Sequence, residues 1–349
     1  MKRYFCTYFD HNYLIYGMTL FDSLVKSGID FKLFVLTLSD ECYTRLENAD
    51  QRIIPVKLKE LEQHDPELSE CQFNRSRTEY IFTLSPCLPL FLFEKFPEID
   101  LLTYLDSDLF FFDSPEVLYA ELGDKSLYII EHRFTEEYQH RAAENGRFNM
   151  AFQIYRKNET GLACLKQWRK QCIQWCYDRV EDGKFADQKY LDSWPEDFKD
   201  EVVISAHYGA NVAPWNINNY LVGKSENKFT VDEKNIIFVH YQGFKLIGKN
   251  IFVWYDWNKK NRNRRFFKKL AYLYFNALHE TKIKYRTLFS GLENLYPNRG
   301  AFFSPKLEFL LKFVPGTSLK RLMRLMFVCL FYNKHLYFKN PFSENCRKK

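Results

Sequence analysis

Asp106-Ser107-Asp108 follows directly on the apolar run Leu101 to Leu105, so two carboxylates stand where a buried strand ends. In open α/β folds, ligands bind outside the carboxyl ends of parallel strands, and at a strand end an i, i+2 pair can turn both acids into one site. Two adjacent carboxylates repel each other, and a divalent cation relieves that repulsion. All-oxygen ligands suit a hard ion such as Mg²⁺ or Mn²⁺. The competing explanation is that the pair merely caps the turn into Leu109-Phe110-Phe111-Phe112. A phosphatase of the haloacid dehalogenase type also sets Asp-Xaa-Asp after an apolar strand. There Thr or Val usually stands two residues past the second Asp and the strand opens the chain, whereas this chain has Phe110 in that place and three strands earlier.

The elements that must position these acids read as alternating strands and helices. Strands are expected over Tyr4 to Phe9, Phe31 to Leu36 and Ile53 to Val56, with helices over Tyr13 to Val25 and, capped by Ser39, over Asp40 to Glu47. A long apolar helical region follows from Tyr80 to Phe96, with interruptions expected at Pro86 and Pro89. Phe148 to Tyr155 reads as a strand and Thr160 to Tyr177 as a helix. A short helix is expected over Gln188 to Trp194, and Ile236 to Val239 is the last clear strand. This alternation predicts an α/β fold with a mostly parallel central sheet and helices on both faces.

Six short motifs in order resemble the GT-A glycosyltransferases similar to glycosyltransferase family 8, including bacterial nucleotide-diphospho-sugar transferases of surface-polysaccharide and lipopolysaccharide pathways. They are Thr7-Tyr8-Phe9-Asp10, Tyr104-Leu105-Asp106-Ser107-Asp108, Phe148-Asn149, Phe185 to Asp192, Asn211 to Asn216, and His240-Tyr241-Gln242-Gly243-Phe244-Lys245. The resemblance covers about residues 3 to 256 and implies a Rossmann-like GT-A fold. It also implies that His240 joins Asp106 and Asp108 as a third metal ligand, which tilts the preference toward Mn²⁺ over Mg²⁺. Gly243 then allows close backbone approach to a phosphate, and Lys245 supplies a point charge. The Pro-Trp that often follows in family 8 is replaced by Leu246-Ile247.

By the same resemblance Thr7, Tyr8 and Asp10 contact the nucleotide, and Arg75 or Arg77 meets the donor beside Ser107. Asn149, Asp187 and Gln188 line the sugar pocket, Asp187 and Gln188 as the catalytic pair. Trp215 and Asn216 face the acceptor. The implied activity is transfer of a sugar from a nucleotide-diphosphate donor, UDP-sugar foremost, to a hydroxyl of a glycan or lipid-linked acceptor, with retention of configuration. The alternative is an inactive relative that binds sugar nucleotides or scaffolds a membrane complex.

Charge divides the chain near residue 257. From Asn258 onward 21 Lys and Arg face 4 Asp and Glu, while the first 257 residues hold 29 basic and 40 acidic side chains. The expected organisation is therefore a catalytic domain over 1–257 and a basic, helical extension over 258–349. Leu319 to Tyr337 combines Leu319, Leu322, Met323, Met326, Phe327 and Leu330 with Lys320, Arg321 and Arg324. It is too short and too charged to span a bilayer but suits an interfacial helix on an anionic membrane surface. No nucleic-acid motif accompanies the charge. Nine scattered cysteines form no disulfide framework and no CxxC zinc pair, and Asp10 arrives before any apolar run of signal-peptide length. Both features point to the cytoplasm, and the basic tail to a peripheral place on the inner face of the membrane.

Overall fold

A computed structural model describes residues 2–248, 251–258 and 260–292, together with the backbone of 335–338. The central sheet takes up seven strands: β1 (Arg3–Phe9), β2 (Phe31–Thr37), β3 (Ile53–Lys57), β4 (Leu101–Leu105), β6 (Leu127–Glu131), β7 (Phe148–Arg156) and β8 (Val202–Ile204). Their order is β3-β2-β1-β4-β7-β6-β8, and β3, β2, β1 and β4 run parallel. Only β7 is reversed, pairing antiparallel with β4 and β6, while β8 runs parallel to β6. The α/β, mostly parallel arrangement expected of a GT-A domain is thus present.

Successive side chains of a strand point to opposite faces, and both faces here are apolar. Phe5, Leu33, Val35, Leu105 and Phe152 pack on one side with α1 (Leu14–Lys26), α2 (Asp40–Leu46) and α6 (Glu116–Leu122). Cys6, Phe34, Leu102, Tyr104 and Tyr155 pack on the other with α3 (Leu58–His64), α4 (Pro66–Cys71), α5 (Arg77–Lys95) and α8 (Glu159–Gln174). Two short helices, α7 (His140–Asn145) and α9 (Trp194–Asp197), complete the body.

Helix α5 corrects the expected break at the prolines. It begins with a capping box, in which Ser76 Oγ accepts from the Glu79 amide (3.3 Å) and Glu79 Oε2 from the Ser76 amide (2.8 Å), and it runs unbroken through Pro86 and Pro89. Each interior proline costs about 3 kcal/mol. Burial of Leu84, Leu88, Phe91 and Leu92 between the sheet and α8 offsets that cost. Helix α8 stops at Gln174, three residues short of the expected end, and Gln188–Ser193 forms 3₁₀ turns rather than an α-helix.

Ladders outside the main sheet hold the chain near the site. Strand β5 (Leu109–Phe111) pairs with β12 (Phe238–His240), and β9 (Val222–Ser225), β10 (Lys228–Val231) and β11 (Lys234–Asn235) form a meander. Strands continue past the expected last one. β13 (Lys245–Gly248) pairs with β14 (Ile251–Trp254), which pairs with β15 (His335–Phe338). The end of the segment read as an interfacial helix is therefore extended, and the rest of it lies outside the described residues.

Helix α10 (Arg264–Lys284) is helical and basic as expected, and it is anchored on α1. Thr19 and Thr281 share a 3.0 Å hydrogen bond, and buried Asp22 accepts from Lys284 Nζ (2.6 Å) and Tyr285 Oη (2.7 Å). Leu270, Tyr274 and Phe275 join the same core as α1. The seven cysteines among the described residues are free and buried, and among those residues no helix is long and apolar enough to cross a membrane.

Candidate metal and substrate site

At the carboxyl end of β4 the chain leaves the sheet. The Asp106 amide donates to the Ala151 carbonyl (3.0 Å) and the Leu109 amide to the Asp106 carbonyl (3.3 Å), closing a turn that presents both acids. The short β5–β12 ladder then sets His240 opposite Leu109, and the Tyr241 amide donates to the Asp108 carbonyl (3.0 Å). A contact across about 130 residues of sequence is fixed by backbone hydrogen bonds. Just before β12, Gly209 lets two stretches of backbone approach closely: its carbonyl accepts from the Ile237 amide (2.8 Å), and a Cβ there would stand 1.9 Å from the Asn235 carbonyl oxygen.

His240 Nε2 lies 3.2 Å from Asp108 Oδ1 and 3.7 Å from Asp106 Oδ2, and one ligand atom from each residue falls within 4.8 Å of the other two. Burial raises the Asp106 pKa to about 6, with Asp108 adding to the effect, against the pull of His240 and the Tyr104 hydroxyl that donates to Asp106 Oδ1 (2.8 Å). Burial opposes the charged form of His240, but Asp108 and Asp106 outweigh it and raise its pKa. The group is thus a compact, partly dehydrated set of two oxygens and one imidazole nitrogen whose mutual repulsion a divalent cation removes. This donor set fits Mn²⁺ or Mg²⁺.

These three side chains face a cavity of about 500 Å³ that Tyr8, Ser107, Asn149, Asp187, Gln188 and Trp215 also line. Asn149 sits on β7, where its Nδ2 meets His132 Nε2 at 3.0 Å. Asp187 is 4% exposed, its carbonyl held by the Trp168 indole N–H (2.9 Å). The preceding Ala186 has φ of +46°, a strained conformation held beside a pocket acid. Burial raises the Asp187 pKa to about 7, with Asp106 adding and a hydrogen bond from Ser85 opposing. Ser85 also meets the Tyr8 hydroxyl at 3.1 Å.

Other candidates from the sequence are not among the residues that line this cavity. Thr7 is fully buried on β1. Asp10 accepts from Arg77 Nη2 (2.8 Å) at the start of α5, and the Arg75 guanidinium donates to Thr83 Oγ1 (2.5 Å) and the Ile173 carbonyl (2.6 Å). Asn216 is committed to the backbone, donating to the His132 and Asn211 carbonyls at 2.9 Å. At the His240 motif, Gln242 lines the cavity rather than Gly243 or Lys245. Gly243 holds φ of +73°, a left-handed conformation that favours glycine, and burial lowers the Lys245 pKa.

The sequence reading missed His132, Phe134, Arg141 and Trp257 in the cavity wall. His132 is detectable in principle, since it follows the apolar run Leu127 to Ile130, another strand end. Its imidazole stacks on Phe134 (4.6 Å between centroids), and burial lowers its pKa to about 3, so it stays neutral. Arg141 lies in a polar stretch that carries no comparable signal, and Trp257 follows the aromatic run Ile251 to Tyr255, which reads as core rather than as site.

With this geometry in place, comparison with known proteins gives a relative over most of the chain. The uncharacterized protein YfnD of Bacillus subtilis (strain 168) is 33% identical over 257 residues, covering 72% of this chain and 82% of YfnD. The chain belongs to the YfnD family. YfnF of the same strain is 25% identical over 260 residues, with 72% and 84% covered. No family model matches the chain. Solved structures that this YfnD-family protein resembles include glycosyltransferases. The galactosyltransferase LgtC, in complex with donor and acceptor sugar analogues, aligns with a TM-score of 0.45 and 19% identity over 77% of this chain and 95% of LgtC. GlyE of Streptococcus pneumoniae TIGR4 gives 0.43 and 17% over 81% and 64%. Mouse xyloside xylosyltransferase 1 gives 0.44 and 13% over 70% and 98%. At such distances no residue role is transferred to the YfnD-family chain.

Proposed function

We propose that the protein is a metal-dependent glycosyltransferase that moves a sugar from a nucleotide-diphosphate donor, a UDP-sugar foremost, to a hydroxyl of a glycan or lipid-linked acceptor. The observation that carries this reading is the convergence of Asp106, Asp108 and His240 in one cavity with Asn149, Asp187 and Gln188. A divalent metal held by the three ligands supplies positive charge to the departing diphosphate. Tyr8 offers a ring for stacking on a base at one wall of the cavity, and Thr7, Asp10 and Arg77 shape the chain around it. Asn149 and Gln188 offer amides, and Asp187 a carboxylate, to the ring hydroxyls and to positive charge developing at the anomeric carbon. Ser107 lies on the cavity wall beside the diphosphate, with Gly243 and Lys245 following Gln242 just behind that wall. Transfer proceeds with retention. The test is a screen of UDP-, GDP-, CMP- and dTDP-sugars with Mn²⁺, following nucleotide release. Turnover of at least one donor, abolished by EDTA, is expected; donor binding with no turnover under any metal would instead identify an inert sugar-nucleotide binder.

In the same reading, residues 1–257 carry the catalysis and 258–349 form a basic extension that attaches the protein peripherally to the cytoplasmic face of an anionic membrane, in lipopolysaccharide or capsule synthesis. The charge asymmetry supports this, with 17 more basic than acidic side chains beyond residue 257. Replacing Lys320, Arg321 and Arg324 together by Glu is expected to abolish co-sedimentation with phosphatidylglycerol vesicles. Unchanged sedimentation would refute the attachment.

A further inference from the structure

The charges around the cavity are unequally distributed. Asp106, Asp108, Asp178 and Asp187 line it, and among the described residues Arg141 is its only Lys or Arg. None of these carboxylates, nor any other among the described residues, forms an ion pair with Arg141. Its Nε is buried with no hydrogen-bond partner. Burying part of a guanidinium without an acceptor is unfavourable, and a planar fork of donors matches a carboxylate or phosphate oxygen pair.

Aromatic rings hold the guanidinium in place. Its Cζ lies 4.9 Å from the centroid of the Trp257 ring, Trp257 packs on Trp215 (5.7 Å), and Trp215 meets the His240 ring edge to face (5.3 Å). A continuous wall of indoles thus links the Arg141 corner to the metal ligands. Cation–π contact with Trp257 holds the charge without neutralising it, so the donors stay available. A substrate oxyanion entering a cavity lined by four carboxylates meets attraction at this corner and at a bound metal.

We propose that Arg141 is an anion-recognition residue of the substrate site, binding a phosphate or carboxylate oxygen pair on the substrate while Trp257 backs its guanidinium. The proposal rests on the reading of this cavity as a sugar-nucleotide site, and two sources share the required chemistry: the donor's diphosphate and an acidic group on the acceptor.

Calorimetric titration of the full-length protein distinguishes them. Inorganic phosphate is titrated in EDTA, and UDP with Mn²⁺ in a second series, for the wild type, Arg141→Ala and Arg141→Lys. Loss of charged hydrogen bonds is expected to weaken phosphate binding roughly ten- to a hundredfold in Arg141→Ala, with partial retention in Arg141→Lys, which keeps the charge but not the fork. A parallel loss of UDP affinity in Arg141→Ala assigns the anion to the donor; wild-type UDP affinity with weakened phosphate binding assigns it to the acceptor. Phosphate binding that is absent from the wild type, or unchanged in both folded variants, overturns the proposal. Failure of the donor reading is separate: the wild type would then bind no UDP with Mn²⁺ while phosphate binding still depended on Arg141.

Discussion

Asp108→Ala is expected to lower metal-dependent release of nucleotide from the donor by about 10³-fold or more. The metal contributes several kcal/mol to stabilising the leaving group, and each 1.4 kcal/mol is about tenfold in rate. The substitution removes a carboxylate oxygen 3.2 Å from His240 Nε2, leaving Asp106 and His240 to hold the ion. The fold should survive, because the β5–β12 ladder is made by the Asp108 carbonyl and the backbone of 109–111 and 238–241, not by the carboxylate. A folded Asp108→Ala protein within tenfold of wild-type activity would remove the metal assignment. His240→Ala should behave alike, with the further loss of the ring packed against Trp215.

Asp187→Asn is expected to change activity and stability in opposite directions. Transfer should fall on the order of 10²-fold, since an amide cannot match a carboxylate facing developing positive charge. Stability of the metal-free protein should rise, and the sign follows from the raised pKa. An acid whose pKa is about 7 when folded and about 3.9 when unfolded keeps its proton longer in the folded state. Its contribution is fully present below pH about 4 and is lost progressively as pH rises to about 7. Above that the wild type carries a constant penalty of at most about 4 kcal/mol, which the amide variant lacks. Urea unfolding in EDTA at pH 4.5 and pH 8 should therefore show the variant gaining on the wild type at the higher pH. An equal difference at both values would contradict the burial argument.

These two residues also mark how far the sequence could be read. Strands β1 to β4 are legible because each is a short apolar run between turn signals, and Asp106 and Asp108 are legible because they end one of them. The reversed direction of β7 is not legible, because a strand buried on both faces shows the same continuous apolar run whichever way it points. Pro86 and Pro89 mislead because local propensity is weighed there against burial that only the assembled fold supplies. His240 and Asp187 are distant in sequence from the acids they meet. A resemblance of motifs could suggest their company, but the β5–β12 ladder and the Trp168 to Asp187 hydrogen bond create it. Arg141 and Trp257 emerge only from packing.

Asp106, Asp108 and His240 are expected to hold the metal beneath a nucleoside diphosphate. Anomalous diffraction at the manganese edge, from crystals grown with Mn²⁺ and UDP, tests it directly. One strong peak is expected, bonded to a carboxylate oxygen of each aspartate and to His240 Nε2, next to diphosphate density in the cavity. Bound UDP with no peak at these three side chains, or with the peak elsewhere, would contradict it.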